Sequence, residues 1–305
     1  MDYKKIFRSR KLRHRILKAL SFIPDKTMVK LQYRIKFGCW PDFKNPKKYN
    51  EKIQLYKLYY RNPDMTICSD KFAVRQYLTQ KGFGDLLPEL YGVYDKAEDI
   101  YFDRLPDKFV IKTNDGSGGN NIIICKDKSK LDYSSIIKEV NSWLNLKNLN
   151  PGREWAYNNI PKSLIIIEEY LENPDDPGGG IEDYKFFCFD GKIEMLQYDE
   201  GRYGNDHRRN FYDTNWNDIH VVCGKPNTDR IVPKPKNFEK MKEIAVSLSK
   251  GFPHVRVDLY SVRDKIYFGE LTFYTGSGYS LWLPKDYEFE LGMPFDISSF
   301  YPPKK

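Results

Sequence analysis

Two stretches of this chain carry residue types that do chemistry. The first is "HVRVDLYSVRDKIYFGELTFY", residues 254–274. Side chains alternate between faces along a strand, so Arg256 and Asp258 share one face of its first half, and Phe268, Glu270 and Thr272 share one face of its second. A short turn around 262–264 predicts a hairpin with Asp258 nearly opposite Glu270. Like charges placed opposite one another destabilise a sheet, and a divalent cation would resolve the conflict. Magnesium takes one or two carboxylates and completes its shell with phosphate oxygens and water. A solvated outer face with incidental acids is the plain alternative, and a glycosidase acid pair is another.

The second stretch is "FVIKTNDGSGGNNIIIC", residues 109–125. Lys112 ends a β-like run, and Asn114, Asp115, Gly116, Ser117, Gly118, Gly119 and Asn120 follow. Glycines let successive backbone N–H groups point inward as an anion nest, and the lysine adds a point charge. Together these suit a polyphosphate, which a glycosidase pair would leave unexplained. The pattern GxxxxGK[ST] is absent, and the loop leads into Ile122-Ile123-Ile124 and not into a helix. It is therefore neither a Walker A loop nor a dinucleotide fingerprint. It reads as a mobile hairpin closing over phosphates, or as a plain hairpin with a long tip.

Smaller clusters are weaker. "GRYGNDHRRNFYD" gathers Arg202, His207, Arg208 and Arg209, which suits a carboxylate donor or a basic surface loop. "TGSGY", 275–279, is a second anion nest or a simple turn. No Ser/His/Asp or Cys/His arrangement supplies a covalent nucleophile.

The elements that must position these groups are legible. Residues 1 to about 65 read as helical, with Tyr49, Ile53, Tyr56 and Tyr60 as a core stripe. "CSDKFAVRQYLTQKG" opens on a Ser69/Asp70 cap signal and stops at Gly82. "ELYGVY", "KFVIKT", "NIIIC" and "SLIIIEEYL" read as strands, with a helix over 131–147. "DYKFFCFDGKIEMLQY" is two strands joined at Asp190-Gly191. "RRNFYD" is a short strand, 236–250 a helix, and 173–180 a surface loop. The order is mixed α+β and not strictly alternating, which disfavours an open parallel sheet.

Composition sets the remaining bounds. A length of 305 residues predicts two or three subdomains. No apolar run is long enough to cross a membrane, and the N-terminus lacks a secretory signal. Five scattered cysteines without a CxxC pair read as reduced thiols in a reducing, cytoplasmic setting. Four histidines show no zinc-ligand spacing. A formal charge of +8 suggests an anionic partner. Eight Lys and Arg crowd the first 18 residues beside a stripe of Leu12, Ile16, Leu17 and Leu20. This segment reads as a solvated basic helix docked on the rest of the chain, or as a helix on the inner membrane surface. No nucleic-acid module follows it.

Taken together, "PKKYNEKIQLYKLYYRNP", "CSDKFAVRQYL", "LYGVYD", "LPDKFVIKTNDGSGGNNIII", "DYKFFCFDGK", "NFYDTNW" and "RVDLYSVRDKIYFGELTFYTGSGY" resemble the TupA-like branch of the ATP-grasp proteins, linked to teichuronopeptide and surface-polysaccharide synthesis. The resemblance implies an ATP-grasp fold in which two α+β lobes grip MgATP. It implies a basic helical region over 1–65, the first part of the grip with its glycine-rich lid over 66–165, and the metal-bearing lobe over 166–305.

By that resemblance Lys71 and Lys112 are the two nucleotide lysines, and Gly116, Ser117, Gly118 and Gly119 cover the β- and γ-phosphates. Glu168, Glu169, Tyr170 and Leu171 match the inter-lobe strand that reads adenine and ribose. Asp183 and Lys185 match charged positions of the nucleotide pocket. Asp258 and Glu270 match the magnesium acids, and Thr272 stands where the family commonly has asparagine.

The implied activity is an ATP- and Mg²⁺-dependent carboxylate–amine ligation through an acyl phosphate, with Arg256, Lys185 and Arg209 on the reacting groups. The implied partners are a small carboxylate and an amine, or a polysaccharide precursor. A glycosyltransferase-like enzyme of the same pathway and a non-catalytic nucleotide binder are the competing readings.

Overall fold

The computed structural model describes residues 16, 19–116, 119, 121–144, 152–173, 180–202 and 206–302. The basic segment 1–18, apart from Ile16, and most of the 173–180 loop lie outside them.

Among the described residues the first named helices are α1 (Asp25–Phe37), α2 (Tyr49–Tyr59), α3 (Pro63–Ser69) and α4 (Ala73–Gln80). The start of α3 is set locally, with Pro63 at its first position and the Asn62 side chain accepting from Asp64 N–H. The cap signal before α4 works through Asp70, whose Oδ1 accepts from the N–H groups of Phe72 and Ala73 at 2.8 and 3.1 Å. Ser69 instead closes α3, so Lys71 sits in the joint between two helices. On α2, Tyr49, Ile53 and Tyr56 are fully buried.

The next strands form a four-stranded antiparallel sheet of order β1-β4-β2-β3, from β1 (Leu90–Tyr94), β2 (Phe109–Thr113), β3 (Ile122–Cys125) and β4 (Ile165–Glu169). Helices α5 (Tyr133–Leu144) and α6 (Trp155–Asn158) fall between β3 and β4. Phe109, Ile111, Ile165 and Ile167 turn one face of this sheet onto Ile136, Val140 and Trp143 of α5. By alternation, Val110, Lys112, Ile166 and Glu168 occupy the other face.

A second sheet has order β10-β9-β5-β6-β7 and is antiparallel throughout. Its strands are β5 (Asp183–Phe189), β6 (Lys192–Glu200), β7 (Arg208–Tyr212), β9 (Val255–Val262) and β10 (Lys265–Thr272). A short pair, β8 (Val222–Cys223) and β11 (Trp282–Leu283), flanks it, and α8 (Tyr287–Gly292) follows. Two of its turns are made of residues with positive φ. Asp190 and Gly191 stand at 45° and 78°, Arg263 and Asp264 at 49° and 62°. That is the geometry whose twist matches flanking antiparallel strands. Helix α7 (Phe238–Ser249) covers the face bearing Phe186, Leu196, Val257, Leu259 and Leu271.

One expectation about faces is overturned. From the turn outward, each pair runs in step as far as Phe268 opposite Leu259. The register then slips by one residue at Gly269, so that Glu270 stands opposite Asp258 and Thr272 opposite Arg256. Strict alternation would place Phe268 with Glu270. The bulge instead puts Phe268 on the core side with Leu259, 5% exposed, while Glu270 stays with Asp258.

Candidate active site

A small, partly open cleft lies between the second face of the first sheet and strand β10. Lys71, Lys112 and Glu168 line one wall, and Gly269 and Glu270 the other. Val74, Leu87, Pro88, Phe268 and Leu271 supply apolar surface, and Tyr157 of α6 closes one side.

Behind the Glu270 wall lies a row of charges across the second sheet. Register places Lys185 opposite Asp258, and Asp258 opposite Glu270. Two residues back along β5, Asp183 faces Asp199, which faces Arg209. Arg256 binds both oxygens of Asp258 at 2.7 Å and reaches Thr272 Oγ1 at 3.1 Å and Glu270 Oε1 at 3.5 Å. Thr272 donates to Glu270 Oε1 at 3.0 Å. Lys185 Nζ donates to Asp258 Oδ2 at 3.0 Å and to Asp183 Oδ2, which also receives Arg202 at 2.7 Å. Asp183 Oδ1 is buried with no hydrogen-bond partner among the described residues.

The glycine-rich loop is anchored from below. Asn114 is fully buried; its amide donates to Asp70 Oδ2 at 2.8 Å and to Lys162 O at 3.0 Å, and its oxygen accepts from Leu164 N–H at 2.8 Å. Lys71 donates through Nζ to Gly116 O and through its N–H to Asn114 O. Lys112 is ion-paired with Glu168. Gly119 stands at φ +72° with no other atom within 4 Å of where a Cβ would sit. Ser117 and Gly118 lie outside the described residues.

A family model for TupA-like ATP-grasp proteins matches residues 51–296. The chain belongs to that family. No curated protein matches it. Among solved structures it is similar to D-alanine–D-alanine ligase from Bacillus anthracis, at 21% identity over 68% of this chain and 57% of that one, with a TM-score of 0.41. It is also similar to the D-cycloserine synthetase DcsG (17% identity, 75% of this chain, 69% of that one, TM-score 0.40). A third is N5-carboxyaminoimidazole ribonucleotide synthetase from Thermus thermophilus (12%, 68% and 45%, 0.38). The chain thus spans little more than half the length of the Bacillus anthracis ligase. At these identities the likeness concerns the fold alone.

In this TupA-like ATP-grasp chain the donor set fits a hard divalent cation. Asp258 and Glu270 are a cross-strand pair of carboxylates with the Thr272 hydroxyl beside them, all oxygen donors. Among the described residues no group of three or more His, Cys, Asp and Glu stands at metal-binding spacing. A cation held here would therefore draw its remaining ligands from phosphate or water.

The electrostatics separate the two acids. Burial works against the Glu270 charge, but Lys71, then Arg256, Lys185 and Arg202 outweigh it and hold the carboxyl down at about 2. Burial pushes the Asp258 carboxyl up, against Arg256 and Lys185. The Lys71 ammonium is lowered by burial, with Glu270 opposing.

The structure does not gather every expected residue into the cleft. Glu169 lies on the far side of its strand, where its N–H and Oε2 both meet the backbone of Glu89. Tyr170 sits under Lys126, 5.8 Å away, and Leu171 follows it past the end of β4. Arg209 is committed to Asp199 at 2.6 and 3.1 Å and to Cys223 O at 3.0 Å.

Other residues escaped the sequence reading. Asp199 is 1% exposed and takes Arg209 and Gln197, with His207 Nε2 3.2 Å away. Its signal was the spacing Gln197-x-Asp199 on the strand after the Asp190-Gly191 turn. On α2, Asn50, Gln54 and Lys57 form a polar row beside the aromatic stripe. Asn50 donates to Ser280 O, Gln54 to Ser277 O and Gly278 O, and Lys57 to Ser277 O and Gly152 O. They hold the 275–280 loop, which follows Thr272 within three residues. Their i, i+4, i+7 spacing was visible, but their partners are more than 90 residues away.

Proposed function

We propose that the chain is an ATP- and Mg²⁺-dependent carboxylate–amine ligase of bacterial capsule or wall polysaccharide synthesis, for example one joining an amino acid to a uronic acid. The observation that carries this reading is the pairing of Asp258 with Glu270 on one side of a cleft whose other wall holds Lys71 and Lys112. The polysaccharide setting rests on the family resemblance alone.

In this reading Lys71 and Lys112 neutralise phosphate charge, and the N–H groups of Gly116, Ser117, Gly118 and Gly119 cradle it. Glu168 meets the ribose, while the backbone of Glu169, Tyr170 and Leu171 reads the adenine edge. Asp258, Glu270 and Thr272 hold the cation, with Asp183 and Lys185 behind them. Bound MgATP supplies the transferable phosphoryl group. The substrate carboxylate attacks the γ-phosphorus and ADP leaves; an amine then attacks the acyl carbon, loses a proton, and expels inorganic phosphate. In this reading Arg256 and Lys185 supply positive charge toward the transferred group, Lys185 through its contact with Asp258. Arg209 acts through Asp199, keeping the neighbouring carboxylate in line.

Calorimetry with ATP, ADP and UDP-sugars, with and without Mg²⁺, tests the reading. Wild type should bind ATP with Mg²⁺ dependence, and Asp258→Asn/Glu270→Gln should lose that dependence. ADP release on adding a uronic acid and an amino acid then tests the ligase assignment. Failure to bind ATP, or preference for a UDP-sugar, would sink it.

A further inference from the structure

We propose that the outward face of α1 and the turn after it dock on an anionic lipid surface. The helix buries Met28, Val29 and Tyr33 against the rest of the chain. Its opposite side carries two adjacent rows at i, i+4, i+8 spacing. Lys26, Lys30 and Arg34 make a basic row, and Thr27, Leu31 and Ile35 run alongside it. Leu31 and Ile35 are 38% and 42% exposed. Phe22, before the helix, is 80% exposed and Trp40, after it, 59%. The Arg34 guanidinium lies over the Trp40 ring at 5.9 Å.

Charge points the same way. Residues 1–48 contain fifteen Lys and Arg against three acids, Asp2, Asp25 and Asp42. That is more than the whole positive excess of +8, so the rest of the chain is net acidic. Of the acids near the face, Asp25 is bound by Arg153 at 2.7 Å, and Asp42 accepts the N–H groups of Lys44 and Asn45. Cations alone would suit any polyanion. Large apolar side chains beside them select a bilayer, where aliphatic and aromatic groups enter the headgroup boundary and lysine and arginine snorkel to the phosphates. A nucleic-acid backbone has nothing to offer Leu31 and Ile35.

Co-sedimentation of the full chain with vesicles tests this. Phosphatidylcholine vesicles should retain little protein, and phosphatidylcholine mixed with phosphatidylglycerol should retain it in a salt-sensitive way. A basic residue near an anionic surface contributes about 1 kcal/mol, roughly fivefold in partition, so Lys26→Gln/Lys30→Gln should weaken binding by roughly 25-fold. Leu31→Ser/Ile35→Ser should weaken it independently, with unfolding midpoints near wild type in both variants. The proposal is overturned if binding ignores phosphatidylglycerol or is absent, or if both variants bind like wild type while removal of residues 1–18 abolishes binding. Preference for a duplex oligonucleotide over the mixed vesicles would overturn it equally.

Discussion

Lys57 gives the sharpest test of how the helical region is joined to the site. The residue is 1% exposed, and its ammonium donates to Gly152 O and Ser277 O, both at 2.9 Å, 4.8 Å from the Tyr279 ring. Neutral acceptors replace only part of the lost hydration. Burial therefore drives its pKa down to about 7, against the pull of Glu154 and Asp25. In the unfolded chain the amine returns to its ordinary value of 10.5. Between these values the unfolded state carries a proton that the native state has released. Stability then rises with pH, by about 1.4 kcal/mol per unit for one such group.

Below about pH 7 both states are charged, and the cost of burying the cation is present in full. From about pH 7 to about pH 9 the wild type should gain on the order of 2 kcal/mol relative to Lys57→Met. Urea unfolding across that range measures the gain, and the difference between the two proteins cancels groups that titrate alike in both. A flat difference curve would refute the reasoning, since it would mean that water reaches Lys57 and its proton stays on.

Two further outcomes follow from the same loop and row. Gly278 stands at φ +69°, and a Cβ there would lie 2.5 Å from Gln54 Nε2 and 2.8 Å from Ile53 Cγ2. Gly278→Ala should cost about 1–3 kcal/mol beyond the roughly 1 kcal/mol of backbone strain that Gly38→Ala reports at φ +79° in open space, read from urea midpoints. Arg209→Ala leaves Asp199 buried with Gln197 as its hydrogen-bond partner and Lys185 4.0 Å away, and should cost about 3 kcal/mol. Asp199→Ala/Arg209→Ala should cost less than the two single changes summed, and a double-mutant cycle with no coupling would count against the pair.

Much of this protein was legible because its signals are local. Asp190-Gly191 announces a turn through φ values that glycine and aspartate tolerate, and alternation in "RVDLY" assigns Arg256 and Asp258 to one face whatever surrounds them. The Ser69/Asp70 signal marks a helix start within its own first turn, and Asp70 makes that cap. The paired acids and the lysine–glycine loop could likewise be read as a cation and a polyphosphate site, because those chemistries demand oxygen ligands and inward N–H groups.

Only the tertiary structure decided how those parts meet. Gly269 looked like one more strand residue, yet the bulge there takes Phe268 off the face it would share with Glu270 and pairs it with Leu259, while Glu270 stays beside Asp258. Nothing near Lys57 in the sequence marks it as buried, yet it is sealed under a loop 220 residues on. Arg209 and Arg256 look alike in sequence, yet one is locked to Asp199 and the other spans Asp258, Glu270 and Thr272. Turns and strand faces depend on the dihedral preferences of a few neighbouring residues. The partner of a charge and the register of a bulged strand depend on which distant surfaces exclude water around them, and that is settled only when the two sheets and the helical region close on one another.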